Sequence, residues 1–160
     1  DFQALDWIHF EGRNIDETLQ MFQWLEQHHP DLPYSLEVEK SRPGIEGLFD
    51  YPDFLMFSKH YAESKEFQSA DALLQSLPAD ISATCAWGEQ GAWATSTSNI
   101  IHSPAYSPDK IIDTLGAGDT FNAGLISALI ENQELAQALT TACQLAAKKC
   151  GQVGFANLIN

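Results

Sequence analysis

Short apolar runs alternate with segments of helical periodicity along this sequence, and no other feature constrains its fold as strongly. Four runs read as strands: Leu5–Glu11, Tyr34–Glu39, Asp53–Ser58 and Ile81–Trp87. The third is almost wholly apolar, as a strand buried on both faces tends to be. Strands and helices in this order form βαβ units, so we predict an α/β fold with a mostly parallel sheet and helices on its faces.

The segments between these strands carry helix signals. After the first strand, an apolar face repeats at helical spacing in Ile15, Leu19, Phe22 and Leu25. Asn14 or Asp16 is expected to cap this helix and Pro30 to end it. The stretch GIEGLFD is expected to form one helical turn, and Ser69 to cap a second helix that runs through Leu77.

The last part of the chain is predicted to hold an antiparallel edge and two closing helices. The runs at 91–96 and 100–104 read as strands joined by a polar turn at 96–99. Ile111–Ile112 is interpreted as the end of a further strand. The closing helices are predicted at 118–130 and 134–149.

The charge balance excludes some classes of partner. The chain has 160 residues and carries 8 basic against 22 acidic residues, a net charge of −14. Phosphate backbones and anionic membrane surfaces attract clustered basic faces, so we expect neither nucleic acid nor a membrane as a partner. An anionic ligand would have to be held by backbone N–H groups, a metal or a few lysines.

Cysteine usage and the start of the chain give two further expectations. The three cysteines form no C-x-x-C pair, and an odd count suits a reducing compartment, so a cytoplasmic location is expected. The apolar runs are too short to span a bilayer. The sequence has no initiator Met and turns strand-like almost at once, so we expect it to be the later part of a longer chain.

The motif most indicative of chemistry is the small-residue loop Gly116-Ala117-Gly118, which leads into a helix. Small residues let the backbone approach a ligand closely, and the first N–H groups of a helix have no intrahelical partner. Together with the helix dipole they form an anion site. Asp119 would repel an anion held there, but it is well placed as a base that takes a proton from an alcohol during phosphoryl transfer.

The loop matches neither of two other glycine-rich motifs. A Walker A loop requires a lysine that is absent here, and a dinucleotide fingerprint requires a third glycine where this chain has Phe121. The alternative without catalysis is that Asp113 and Asp119 cap the helix while the glycines serve a tight turn. Spacing alone leaves that alternative open.

The stretch DTLGAGDTFNAG resembles the second signature of the ribokinase-like (PfkB) sugar-kinase family. The stretches WIHFEGRN, LEVEK, MFSK, CAWGEQGA and ACQLAAKKCGQVGF are similar, in order and spacing, to the ketohexokinase branch. The resemblance covers essentially the whole chain and implies a three-layer α/β/α fold with a mostly parallel sheet. It also implies that residues 1–160 are the C-terminal, nucleotide-binding and catalytic-base portion of a single kinase domain, without the N-terminal half and its lid.

This resemblance implies ATP-dependent phosphorylation of a sugar hydroxyl, with fructose to fructose 1-phosphate as the nearest case. Another sugar, a nucleoside, or an inactive nucleotide-binding fragment are the alternatives, and the 160-residue chain alone is expected to be inactive. Mg²⁺ is implied as a cofactor, K⁺ as an optional one, and a homodimer as an option for the full-length protein.

The resemblance also implies roles for particular residues. Asp119 is the catalytic base, Gly116, Ala117 and Gly118 form the anion hole, and Glu11 lies at the sugar site with Asp119. The implied nucleotide-binding residues are Lys40, Gly88, Glu89, Gln90, Gly91, Tyr106 and Cys143. A lone lysine after a strand is, however, commonly a solvated surface charge.

One element departs from the family pattern. Where many members carry an N-x-x-E element for magnesium, this chain reads Ser58-Lys59-His60-Tyr61, so the metal ligands remain unassigned. Glu63 and Glu66 are expected on a solvated helix face. Cys143 and Cys150 are seven residues apart and are expected to be buried as small apolar groups.

Overall fold

The computed structural model describes residues 2–97 and 99–158, and the predicted α/β fold is confirmed there. The strands are β1 (Ile8–Glu11), β2 (Tyr34–Val38), β3 (Phe54–Ser58), β4 (Ala83–Ala86), β5 (Ala92–Ser96) and β6 (Asn99–Ser103). The helices are α1 (Ile15–His28), α2 (Lys59–Ser64), α3 (Ala70–Gln75), α4 (Ala117–Ile130) and α5 (Leu135–Cys150). Short 3₁₀ turns lie at Phe2–Ala4, Ile45–Leu48 and Gly88–Gln90.

The six strands form one sheet in chain order, β1 to β6. β1 to β4 run parallel to one another, and β5 and β6 add the antiparallel edge that the sequence predicts. The turn predicted at 96–99 includes Ser98, which lies outside the described residues. Parallel neighbours need crossover connections, and these are the segments that contain α1, the 3₁₀ turn at 45–48, and α2 with α3.

Helices cover both sides of the sheet, which gives three layers. On one side α1 and α3 pack on β2, β3 and β4, with Phe22, Leu36 and Leu55 fully buried. On the other side α4 and α5 pack on β3 and β5, where Met56 and Leu125 meet. β3 is buried on both faces because its alternate residues enter the two cores, which accounts for its almost wholly apolar sequence.

Serine caps begin two of the helices, whereas the predicted cap of α1 forms no side-chain bond. Asn14 stands at the position before α1 but makes no side-chain cap bond. The Ser69 hydroxyl accepts the N–H of Ala72 at 3.1 Å, so the predicted cap of α3 is confirmed, although the helix ends at Gln75. In the same way Ser58 accepts the N–H of Tyr61 at 3.0 Å and begins α2.

Two local predictions were wrong. Ile111–Ile112 is no strand: it lies in an irregular segment, and the Ile112 N–H donates to the carbonyl of Cys150 at the end of α5. Glu66 is not on a helix, because α2 ends at Ser64 and Glu66 adopts a φ of 66°. Glu63 is on α2 and exposed, as expected. Among the described residues, no helix has the length and apolar character that crossing a membrane requires.

Candidate active site

The side chain of Asp119 opens onto a cleft of about 480 Å³ between α4 and the β1–β2 edge of the sheet. The cleft is lined by His9, Glu11, Glu37, Asp119, Asn122, Ala123, Ile126, Ser127 and Ile130. Strand register explains the first part of this set. His9 pairs with Ser35 and Glu11 with Glu37, so these four residues share one face of the sheet. Ile8 and Phe10 point into the opposite core.

The loop before α4 leaves backbone amides available. Gly116 stands at the helix start with a φ of 77°, a conformation that L side chains rarely adopt. Its carbonyl accepts both the N–H and the hydroxyl of Thr120, at 2.9 and 2.8 Å. The Ala117 N–H donates to the Thr114 carbonyl at 3.1 Å. Within the described part of the chain, the N–H groups of Gly118 and Asp119 have no acceptor.

The carboxylate of Asp119 lies over this loop. It is exposed in the first turn of α4, and its Oδ2 atom lies 3.7 Å from the point where a Cβ on residue 116 would stand. The amides of Gly118 and Asp119, at the positive end of the helix dipole, are therefore close to the carboxylate. This arrangement can bind an oxyanion beside a base. The free N–H donors of the loop are therefore those of Gly118 and Asp119, because the Ala117 N–H is already bonded to Thr114.

Glu37 faces Asp119 across the cleft. Desolvation raises the pKa of the Glu37 carboxyl, and the negative charge of Asp119 raises it further. The Asn122 side-chain amide opposes this by donating to Glu37 Oε1 at 3.0 Å. Glu11, at the end of β1, pairs with Arg13 in a mostly exposed ion pair. The cleft thus gathers three carboxylates from two strands and a helix.

A buried lysine that sequence reasoning missed supports the loop. Lys149 on α5 has a relative exposure of 0%, and its Nζ donates to Asp113 Oδ2 at 2.8 Å and to the Asp113 carbonyl at 3.1 Å. Asp113 Oδ1 in turn accepts the N–H of Leu115 at 3.0 Å. These bonds, that from Lys149 foremost, lower the pKa of the Asp113 carboxyl. Asp113 therefore holds the loop in place. The sequence did not predict this, because nothing in the adjacent pair Lys148 and Lys149 indicates that one of them is buried.

The C-terminal segment closes over the same loop. The ring of Phe155 lies within 2.5 Å of the position that a Cβ on Gly116 would take. Lys149 Nζ lies 5.4 Å from the centre of that ring, within range of a cation–π contact. Gly116 is thus required twice, for its φ and for the space that Phe155 occupies.

The residues predicted for the nucleotide lie outside the lining of the Asp119 cleft described above. Gly88–Gln90 form a turn between β4 and β5 in which Glu89 and Gln90 are exposed. A Cβ on Gly91 would lie 2.1 Å from the Ser103 carbonyl, so this glycine is needed for a close backbone approach. The structure thus presents residues 88–90 as a surface turn at the antiparallel end of the sheet, with Gly91 buried behind it.

The other predicted nucleotide residues differ in exposure. Cys143 on α5 is buried, and burial raises the pKa of its thiol. Hydrogen bonds with Ser103 and with the Ala92 backbone lower this pKa, but by less than burial raises it. Tyr106 is 40% exposed in the segment after β6. Lys40 is exposed beside Glu39, with Nζ 3.6 Å from Oε1, and it does not line the cleft.

The described residues form no evident metal-binding site. They contain no group of three or more His, Cys, Asp or Glu side chains arranged to hold an ion. At the place of the N-x-x-E element, Ser58 caps α2, and its hydroxyl donates to the Glu39 carbonyl at 2.5 Å. The residues that replace the family's N-x-x-E element thus form the start of α2.

Comparison with known proteins identifies similar chains and folds. The model of the pfkB family carbohydrate kinases matches residues 2–160. Mouse ketohexokinase is 38% identical over 175 aligned residues, which cover 99% of this chain and 59% of the mouse protein. Bacillus subtilis ribokinase is 32% identical over 114 aligned residues, 70% of this chain and 38% of that protein. The chain therefore spans less than two thirds of these relatives.

Solved structures show the same architecture. Ribokinase from Cryptococcus neoformans, solved in complex with ADP, superposes with a TM-score of 0.81 at 16% identity, over 96% of this chain and 57% of that one. Arabidopsis thaliana ribokinase, solved with ribose and ATP, gives a TM-score of 0.78 at 17% identity, over 96% and 52%. At these identities the likeness concerns the fold, and it confirms the ribokinase-like prediction.

Proposed function

Because the chain belongs to the pfkB family of carbohydrate kinases, we propose that it is the catalytic-base portion of an ATP-dependent sugar kinase in which Asp119 activates the sugar hydroxyl. The observation that carries this proposal is the position of Asp119, in the first turn of α4, beside two unpaired amides and facing a cleft. In this proposal residues 1–160 form the C-terminal part of one kinase domain.

The proposed reaction uses the loop and the carboxylate together. The Asp119 carboxylate accepts the proton of a sugar hydroxyl while that oxygen attacks the γ-phosphorus of ATP. The bond from the γ-phosphorus to the bridging oxygen breaks, and ADP leaves with that oxygen. The N–H groups of Gly118 and Asp119 stabilise the charge on the transferred group, as preorganised donors at a helix start do. Gly116 and Ala117 shape the loop that presents them.

The proposed substrate is a ketose, with fructose converted to fructose 1-phosphate. The 38% identity to mouse ketohexokinase over nearly the whole chain supports this choice. In this proposal Glu11 contributes to the sugar side of the cleft. Lys40, Gly88–Gly91, Tyr106 and Cys143 contribute to the nucleotide side, consistent with their position away from the sugar cleft. The full-length enzyme is proposed to act in the cytoplasm and to be able to form a homodimer.

Magnesium is proposed as a companion of the nucleotide. The described residues build no metal centre, but Mg²⁺ is commonly held by one or two carboxylates together with substrate phosphates. In this proposal the ion is held mainly by the nucleotide phosphates, and no protein ligand is assigned to it. Bound there, the ion would neutralise phosphate charge. K⁺ remains an optional cofactor without assigned ligands, and the cation that contacts Asp113 here is the Lys149 ammonium.

A sugar panel on the full-length protein tests the proposal. ADP release is measured with ATP, Mg²⁺ and fructose, ribose or a nucleoside, for the wild type and for Asp119→Asn. We expect fructose to be the preferred acceptor, and the substitution to lower kcat by about 10²- to 10⁴-fold while ATP affinity is kept, because only the proton acceptor is lost. An unchanged kcat in Asp119→Asn would show that Asp119 is not the base. The isolated 160-residue chain is the control and is expected to show no turnover.

A further inference from the structure

A chain of three side chains runs from the edge of the sheet into the cleft. Trp7 Nε1 donates to the hydroxyl oxygen of Ser35 at 2.9 Å. The same oxygen lies 2.7 Å from His9 Nδ1. Ser35 is fully buried on β2, directly opposite His9 on β1. Trp7 and His9 lie in the stretch WIHFEGRN, but the sequence analysis assigns no role to any of these three residues.

The bonding capacity of Ser35 decides the tautomer of His9. An indole N–H can only donate, so Ser35 Oγ accepts from Trp7. Because Ser35 has no exposure to water, its own hydroxyl proton needs a protein acceptor, and the one found in the described part of the chain is His9 Nδ1. If His9 Nδ1 donated instead, the Ser35 proton would be buried without a partner. Nδ1 is therefore the acceptor, and the ring proton resides on Nε2.

The electrostatics of the cleft agree with a neutral ring. Desolvation lowers the pKa of His9, and the charges of Glu11 and Asp119 oppose that effect without reversing it. The carboxylates that face the ring come from β1, β2 and α4, as Glu11, Glu37 and Asp119. Each of them can accept hydrogen bonds from a sugar, but none donates when ionised. The His9 Nε2–H has no acceptor among the described residues and lines the same cleft.

We propose that His9 is a substrate-binding residue whose Nε2–H, fixed by the Trp7–Ser35 relay, donates to a sugar oxygen next to the hydroxyl that Asp119 deprotonates. The inference rests on the proposed kinase function and deepens it. A polyol hydroxyl both donates and accepts, so a cleft of three acceptors needs a donor to complete the match. The His9 Nε2–H supplies a donor near Asp119, and the exposed Ser127 hydroxyl supplies another further along α4, while Asn122 is engaged by Glu37.

Two isosteric variants separate the donor from the relay. In His9→Gln the side-chain amide nitrogen reaches about as far as Nε2 and can donate into the cleft. In His9→Asn the shorter amide can still bond Ser35 but cannot reach the sugar. In the full-length protein we expect His9→Asn to raise the KM for fructose about 5- to 10-fold, the worth of one neutral hydrogen bond, with the KM for ATP unchanged. We expect His9→Gln to recover most of this loss.

The tautomer has its own measurement. Nitrogen NMR of the imidazole is expected to show a protonated Nε2 and an unprotonated Nδ1 in the wild type, and a mixture of both tautomers in Ser35→Ala. An Nδ1–H tautomer in the wild type would overturn the relay. An unchanged KM for fructose in His9→Asn, or equal increases in the KM for fructose and for ATP, would overturn the binding role.

The failure of the proposed function would look different. If the wild type phosphorylates no sugar, calorimetric titration with fructose in the absence of ATP, on the wild type and both His9 variants, still measures the hydrogen bond. Binding that is weaker in His9→Asn than in His9→Gln would uphold the site without the reaction. The absence of binding in all three proteins would overturn both proposals.

Discussion

The two sides of the sheet are built from the same strands but serve different ends. On the side covered by α1 and α3, β2 contributes Leu36 and Val38 to a core of large aliphatic and aromatic side chains. On the side covered by α4 and α5, the same strand contributes Ser35 and Glu37, and the cleft and the glycine loop lie there. The packed side resembles the interior of any α/β protein, whereas the other side leaves carboxylates and amides incompletely paired.

This difference shows how one short strand can serve both stability and chemistry. Successive strand residues point to opposite faces, so a pattern of period two assigns Leu36 to the core and Glu37 to the cleft. A change on the first side should alter the free energy of unfolding, and a change on the second should alter activity or its pH dependence. The following substitutions test that separation.

Leu36→Ala is expected to have the largest effect on folding. Leu36 has no exposure, and removing its side chain leaves a cavity between β2 and α1. The free energy of unfolding should fall by about 2–5 kcal/mol in chemical denaturation. Activity per folded molecule should stay near that of the wild type. A loss of kcat larger than the loss of folded protein would show that the two sides are not separable.

Lys149→Met, on the side of the sheet that holds the cleft, is expected to loosen the glycine loop. Met keeps most of the side-chain volume, but the two bonds to Asp113 are lost. We expect kcat to fall about 10- to 100-fold because the loop amides are no longer held in place. The pKa of Asp113, followed by NMR, should rise towards its ordinary value. Lys148→Met is the matched control, since Lys148 is exposed, and equal losses in both variants would contradict a role for the buried ammonium.

The glycines of the loop should respond in opposite directions. Gly116→Ala should lower the free energy of unfolding by about 1–2 kcal/mol or more, since its φ is 77° and its Cβ would meet Phe155. A Cβ on Gly118 meets nothing within 4 Å, and the residue lies in α4. Gly118→Ala should therefore keep stability or raise it by up to about 1 kcal/mol. Its kinase activity should nevertheless fall, because the methyl group enters the proposed anion site.

Thermal unfolding and ADP release, measured on the same preparations, decide this comparison. Full activity in a stable Gly118→Ala protein would show that no phosphate approaches that amide.

Glu37→Gln should have the smallest effect on stability, no more than about 0.5 kcal/mol near neutral pH. The folded state raises the pKa of Glu37, so the wild type binds this proton more tightly when folded. Its stability is therefore greatest below the ordinary glutamate pKa and declines as the pH rises through the raised value. The variant lacks this decline. Denaturation from about pH 4 to pH 7 should show the variant gaining relative to the wild type, and parallel curves would contradict the raised pKa.

Much of the fold could be predicted because its signals are local. Four apolar runs and the β5–β6 pair were found within a few residues, and the cap at Ser69 follows from one side chain. Ile111–Ile112 was misassigned because two apolar β-branched residues suit a strand, whereas the tertiary structure bonds Ile112 to the end of α5. Helix α2 was expected only as a solvated face that carries Glu63 and Glu66, and its bounds were not predicted because its six residues carry too little periodicity.

The site was only partly accessible to the same reasoning. Asp119 and the glycine loop are contiguous in the chain, so the sequence predicts both at one helix start. Their spacing left simple capping open, and the family resemblance favoured the anion site. His9 and Glu37 gave no such signal as partners of Asp119, since Asn122 and Glu37 are 85 residues apart in the chain. Their proximity depends on the register of two parallel strands and on where α4 lies across them.

By itself, then, the sequence determined the alternation of strands and helices, the glycine loop at the start of α4, and the carboxylate that follows it. These features arise from backbone preferences and from neighbours in the chain, which are present before the protein folds. Only the tertiary structure decided that Lys149 is buried against Asp113 and that His9 and Glu37 share a cleft with Asp119. Burial and long-range pairing depend on how the sheet and helices pack, and no local pattern encodes that packing.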